Sequence, residues 1–153
     1  MIEILFGIPD YRYKVWLVRL VLIYAIVFAL LVPLSLFAEL ALAPVDTASM
    51  VYELMFPIFF IGGFAFMVST IVRSGNGTAV IVIIVGVAVL IFAGNFGTSR
   101  WNIFLNPFQL PDGMNEAVWA DVVLKNRIFL STGSAVAYLA GLFNLQKREK
   151  FVQ

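Results

Sequence analysis

The sequence predicts an all-α membrane protein, a polytopic helical bundle with four transmembrane helices and short interfacial helices. Of its 153 residues, 62% are hydrophobic and only 12% are charged. Soluble domains average about 45–50% apolar and about 25% charged residues. The mean hydropathy of +0.99 points the same way. The chain therefore has too little charge to cover a soluble core with a polar surface.

The positions of the charged residues predict four spans. Four stretches contain no Asp, Glu, Lys or Arg: 20–38, 54–72, 74–99 and 128–146. Because a helix needs about 20 mainly apolar residues to cross a bilayer, we expect residues 1–153 to form one integral membrane domain. We expect spans near 15–38, 52–72, 78–96 and 127–145, with an external segment at 97–126. The first run is longer than the core of a signal peptide, so we interpret it as a retained span.

The basic residues predict the orientation. An even number of spans puts both termini on one side, where seven Lys and Arg residues collect, against three on the other side. The positive-inside rule then predicts a multi-pass protein of the cell (cytoplasmic) membrane with both termini in the cytoplasm. The acids Glu39 and Glu53 fall at the outer ends of spans, where we interpret them as solvated helix-end residues.

Composition also excludes several function classes. The sequence has no Cys and no His, which removes thiolate chemistry and the commonest metal ligand and acid–base group. A net charge of +1 argues against a nucleic-acid partner. Asp112 and Glu116 have the best spacing for a shared metal ion, but a solvated helix start explains both acids more simply. We therefore expect no enzyme activity, no metal and no cofactor.

The segments between the spans predict several local features. Residues 1–14 suit a short interfacial helix, or alternatively a docking element for a cytoplasmic partner. Gly75 and Gly77 are expected to supply positive φ in a tight turn that makes spans two and three antiparallel. Asn115 is expected to cap a short external helix that runs into span four. On that helix Asp121 and Lys125 are spaced i,i+4, which predicts an ion pair between them. Small residues at regular spacing are expected to mark packing faces: Gly62, Gly63, Gly86, Gly94, Gly133 and Gly141.

Further along the chain, an ordered set of motifs is present. Residues 69–80 read STIVRSGNGTAV, 104–108 read FLNPF, 124–127 read LKNR and 145–151 read LQKREKF. In this order, between basic and acidic loops, the motifs resemble the C-terminal four spans of exporter-type ABC transporter permeases, the ABC-2 membrane family. The resemblance covers residues 10–151 and implies a non-catalytic permease subunit driven by a separate ATPase subunit on the cytoplasmic side.

The resemblance also implies partners and a contact site. By position, an ATP-hydrolysing subunit would contact Ile8, Pro9, Asp10, Tyr11 and Arg12. Other membrane subunits, or a second copy of the chain, and lipid are the remaining expected partners. The family usually has six spans, so this chain corresponds to a split half, to a fragment, or to a four-span relative without transport. The alternative function is a structural or assembly subunit of a larger membrane complex.

Overall fold

The computed structural model describes residues 11–42, 44–72 and 74–149, and within these ranges it contains four α-helices and no strand. In chain order the helices are α1 (Tyr11–Ala41), α2 (Thr47–Val72), α3 (Gly75–Phe96) and α4 (Glu116–Glu149). Residues 97–115, the connecting segment, contain turns but no helix. The predicted all-helical class is therefore confirmed.

Each helix includes a stretch that is long and apolar enough to cross a membrane: Val15–Ala41, Thr47–Val72, Gly75–Phe92 and Glu116–Gln146. The predicted spans all lie inside these helices. α4 has 34 residues and is about 51 Å long at about 1.5 Å per residue. Since a bilayer core is about 30 Å thick, α4 extends beyond the core. The predicted external helix is thus continuous with the fourth span.

Polar side chains directly before the helices decide where α2, α3 and α4 begin. Asp46 Oδ2 accepts hydrogen bonds from Ser49 N at 2.9 Å and Ser49 Oγ at 3.1 Å, which caps α2. The backbone bond, and then the side-chain bond, hold the pKa of Asp46 below its ordinary value of 3.8. At α4, Asn115 Oδ1 accepts from Ala117 N at 2.9 Å, so the predicted cap is confirmed.

The prediction of positive φ at Gly75 and Gly77 is wrong. Ser74 caps α3 by accepting a hydrogen bond from Gly77 N at 3.3 Å, so both glycines belong to the first helical turn. Among the described glycines the positive φ belongs to Gly113, at 76°. Met114 N donates to Pro111 O at 3.1 Å across this glycine, which forms the turn before α4.

Two compact units divide the chain: Met1–Val51 with Leu145–Gln153, and Tyr52–Asn144. In the first unit, Glu39 Oε2 accepts from Thr47 N at 3.0 Å and also from the Thr47 hydroxyl. The carboxylate thereby satisfies a free N–H at the start of α2. The expected helix-end role of Glu39 is confirmed, and the single-domain prediction stays a prediction.

The second unit has its own apolar core, contributed by α2, α4 and the connecting segment. Its buried apolar side chains are Phe66, Val68, Leu105, Trp119, Leu130 and Ala137. Pro57 lies within the unbroken α2, as Pro33 lies within α1 of the first unit. α3 contributes little to this core, since 6% of its most apolar window is buried against 22% for α2 and α4.

Most apolar surface of α1 and α3 is open. On α3, Ile83, Ile84 and Ile91 are exposed, and a Cβ added at Gly86 would have nothing within 4 Å. On α1, Leu34 and Phe37 are each 64% exposed. Helices that are apolar all round are covered by lipid or by other helices. Two of the four spans therefore have surface available for either kind of cover.

Candidate functional site

Helices α2 and α4 of the second unit run in the same direction with a constant offset. Three hydrogen bonds join positions 74 or 75 residues apart: from Arg127 to Glu53, from Ser134 to the Phe59 carbonyl, and from Asn144 to Thr70. Both residue numbers rise together along the pair, so the helices are parallel. Polar contacts therefore join them from one end of the interface to the other.

Glycines allow α4 to approach the aromatic side chains of α2. A Cβ added at Gly133 would lie 2.6 Å from the Phe60 ring, and one at Gly141 would lie 2.6 Å from the Phe66 ring. On α2, a Cβ at Gly63 would meet a Tyr138 ring carbon at 3.1 Å. These distances confirm the predicted packing role of the α4 glycines and of Gly63.

A buried ion pair lies at the end of this interface that the connecting segment covers. Arg127 Nε donates to Glu53 Oε2 at 2.5 Å, and the two side chains are 9% and 19% exposed. Arg127 Nη1 donates to Asn126 Oδ1 at 2.8 Å, and the guanidinium carbon lies 5.3 Å from the centre of the Phe56 ring. The positive charge is therefore engaged by a carboxylate, an amide and an aromatic face.

Asn126 attaches the connecting segment to α4. The residue is fully buried, and its Nδ2 donates to Arg100 O at 2.8 Å and Asn102 O at 2.9 Å. With Oδ1 bonded to Arg127, both its donor hydrogens and its acceptor are in use. Glu53, Arg127 and Asn126 form one continuous polar network, called here the Glu53–Arg127–Asn126 network.

The connecting segment is held by further contacts within itself and to α4. Asn102 Oδ1 accepts from Phe104 N at 3.0 Å, and Trp119 Nε1 donates to Pro107 O at 3.2 Å. Leu105, which belongs to the segment, is buried and only 6% exposed. The segment is therefore an ordered cap on the second unit.

An aromatic cluster supports the same region. The Trp101 ring meets Phe129 edge-on with 4.9 Å between centroids, and Phe60 lies 5.7 Å from Phe129. Arg100 stacks on Trp101, with its guanidinium carbon 4.9 Å from the ring centroid. Such ring pairs add stabilisation beyond their buried area. The cluster joins the connecting segment to α4 and, through Phe60, to α2.

Two clefts open where the connecting segment meets α4, and the larger one borders the Glu53–Arg127–Asn126 network. The larger, called here the aromatic cleft, has a volume of about 480 Å³. Its lining includes three aromatic and three charged side chains: Tyr52, Phe108, Trp119, Glu53, Glu116 and Arg127. The smaller, of about 280 Å³, lies between the connecting segment and Trp119 and includes Asp112. Asp112 and Glu116, considered as a metal pair from the sequence, thus line different clefts.

The residues predicted to contact an ATPase subunit are only partly described. Ile8, Pro9 and Asp10 lie outside the described residues. Tyr11 and Arg12 form the first turn of α1. The contact therefore stays a prediction.

Lys125 Nζ and Asp121 Oδ2 form the expected i,i+4 ion pair at 2.6 Å, with both side chains about half exposed. Glu53 differs from its predicted role as a solvated helix-end residue, because its side chain is only 19% exposed and is paired with Arg127. Within the described ranges, no group of three or more Asp and Glu side chains is placed to hold a metal ion.

The contacts that join Glu53, Asn126 and Arg127 were not predicted from the sequence. A usable signal was present, since the four-span topology puts Glu53 and Arg127 at the same membrane face and on helices of the same direction. Opposite charges at matching depth on such helices are candidates for pairing. Asn126 carried no comparable signal, because its partners are backbone carbonyls of an irregular segment.

Comparison with known proteins does not assign the chain to a group. No protein-family model, no curated protein and no solved structure matches this sequence or fold.

Proposed function

We propose that the chain is a non-catalytic, membrane-embedded permease subunit of an ABC transporter, driven by a separate ATP-hydrolysing subunit. The proposal is supported by the order of the motifs at 69–80, 104–108, 124–127 and 145–151. It is also supported by the open apolar surfaces of α1 and α3, whose most apolar windows are each only 6% buried. That exposure is the single structural observation that carries the proposal, since a subunit needs surface for other subunits.

The proposed orientation follows from charge. With both termini on the cytoplasmic side of the cell membrane, the connecting segment and the Glu53–Arg127–Asn126 network face outward. The short link before α3 then faces the cytoplasm. Residues 8–12 then lie on the side where an ATPase subunit has access to ATP. ATP hydrolysis, the energy source, takes place on that partner. The chain itself, in this proposal, is not an enzyme and binds no cofactor.

Purification from native membranes in a mild detergent tests the proposal. A tagged full-length chain is expected to retain an ATP-binding-cassette subunit and an ATPase activity that elutes with it. An Arg12→Glu variant is expected to lose both. The matched control is Lys125→Glu, a charge reversal on the proposed outer side. Recovery of the chain without any ATPase, while its other membrane partners stay bound, would contradict the proposal.

A structural or assembly subunit is the second candidate. The observation that favours it is the closed α2–α4 interface, where Gly133 and Gly141 admit Phe60 and Phe66 and leave the two helices tightly packed. A rigid pair of this kind suits a scaffold for neighbouring subunits. Co-purification of a multisubunit membrane complex without an ATP-binding-cassette protein would favour this candidate over the first.

A further inference from the structure

The aromatic cleft combines three kinds of lining that occur together in sites for organic cations. Tyr52, Phe108 and Trp119 contribute aromatic surface, and Val123 and Leu124 contribute aliphatic surface. Glu116 contributes an exposed carboxylate at the start of α4. Aromatic faces attract cations through their quadrupole, and quaternary ammonium groups are recognised by such surfaces. The cleft volume of about 480 Å³ falls within the range of small-molecule sites, about 300–1,000 Å³.

The charges around the cleft favour a cation over an anion. Arg127 is the basic residue of the lining, and its guanidinium is already bound by Glu53, Asn126 and the Phe56 ring. The negative charge of Glu53 is balanced by Arg127 in the same contact. Glu116 has no ion-pair partner among the described residues. The lining therefore carries one net negative charge, and the carboxylate that holds it is accessible.

We propose that the aromatic cleft binds an ammonium group with an apolar substituent, through Glu116 and the aromatic rings of Phe108 and Trp119. The Glu53–Arg127 pair also lines the site, and Glu53 balances the positive charge of Arg127 there. The aliphatic wall of Val123 and Leu124 accommodates the apolar part. This site is independent of the proposed transport function, since it needs neither an ATPase partner nor a transported substrate.

Direct binding tests the site on the full-length chain in maltoside micelles. Radiolabelled octyltrimethylammonium is titrated, and the counts from empty micelles are subtracted. We expect saturable binding of one probe per chain, and no saturable binding of labelled octyl sulfate or octanol. Glu116→Gln is expected to weaken the probe about tenfold, the factor that corresponds to about 1.4 kcal/mol. Asp112→Asn, which alters an acid of the smaller cleft, is the matched control and is expected to leave the affinity unchanged.

A second pair of variants removes an aromatic ring instead of a charge. Phe108 and Phe104 are 44% and 40% exposed in the same connecting segment, but only Phe108 lines the aromatic cleft. Phe108→Ala is expected to weaken the probe about fivefold through loss of a cation–π contact, and Phe104→Ala is expected to have no effect. Equal affinities in Glu116→Gln and Asp112→Asn, or equal binding of octanol and the ammonium probe, would overturn the proposal.

Competition distinguishes the natural source of the ammonium group. Displacement of the probe by dihexanoylphosphatidylcholine assigns the cleft to a lipid headgroup. Displacement by tetraethylammonium alone assigns it to a free organic cation. Both results uphold an ammonium site, and displacement by neither compound overturns it.

Discussion

Arg127 on α4 and Glu53 on α2 are ion-paired across 74 positions of sequence, with 2.5 Å between Nε and Oε2. The pair lies at one end of two parallel helices, and Asn126 beside it binds two carbonyls of the connecting segment. One short stretch of α4 thus joins three parts of the second unit. The stability of that end of the unit depends on these contacts.

Breaking the ion pair is expected to destabilise the protein strongly. Glu53→Gln leaves a buried guanidinium without a counter-charge, and loss of one partner of a buried pair costs about 3–5 kcal/mol. The measurement is the free energy of unfolding in mixed micelles. The control is Lys125→Met, which breaks the half-exposed pair with Asp121 and should cost less than about 1 kcal/mol.

The double variant Glu53→Leu with Arg127→Leu distinguishes the effect of losing the ion pair from the effect of leaving one charge buried without a partner. We expect it to be more stable than Glu53→Gln, because neither charge is left buried. If Glu53→Gln were no more destabilising than Lys125→Met, the ion pair would not be as buried as its 9% and 19% exposures indicate.

Removal of the Asn126 amide is expected to release the connecting segment. Asn126→Ala leaves the carbonyls of Arg100 and Asn102 without their donor, at a cost of about 1–3 kcal/mol for a buried group. Amide exchange over residues 97–106 should become faster, while exchange in the middle of α2 stays unchanged. Asn106→Ala, whose side chain is exposed and bonds only Phe108 N locally, is the control. Equal protection in both variants would argue against an anchoring role.

A methyl group is expected to be tolerated at one glycine and not at another. Gly141→Ala places its Cβ 2.6 Å from the Phe66 ring, and overpacking of this kind costs about 1–3 kcal/mol. A Cβ added at Gly86 has no atom of the chain within 4 Å. Gly86→Ala should therefore leave the free energy of unfolding unchanged, or raise it by up to about 1 kcal/mol through helix propensity. Thermal unfolding of both variants in one detergent checks the difference. Destabilisation by Gly86→Ala would instead indicate a partner helix on α3.

Acid is expected to loosen the start of α2. Because the folded-state pKa of Asp46 is lowered by its bonds to Ser49, its contribution to stability is fully present above the unfolded-state value. That contribution is lost as the pH falls through the lower folded-state value. Protection of the Ser49 amide should therefore decrease below the ordinary pKa of 3.8. Asp46→Asn still caps the helix but does not titrate, so it should remove this pH dependence.

The four apolar helices, and the cap at the start of α4, could be predicted from the sequence. Runs without charge determine spans locally, since every backbone polar group in a spanning helix is satisfied within the helix. Asn115 and the Asp121–Lys125 pair depend on neighbours within one helical turn, and they were predicted for that reason. The prediction of positive φ at Gly75 and Gly77 was wrong because α3 is capped by Ser74 and therefore begins at Gly75.

The composition and order of the residues thus determined the class of the molecule and its helices. Only the tertiary structure decided that α2 and α4 pair in parallel with an offset of 74 or 75 residues, and that this pairing brings Glu53 against Arg127. Helix formation depends on residues that are neighbours in the chain. The offset between α2 and α4 depends instead on which α4 glycines leave room for which aromatic rings of α2. Those contacts exist only after the helices have come together.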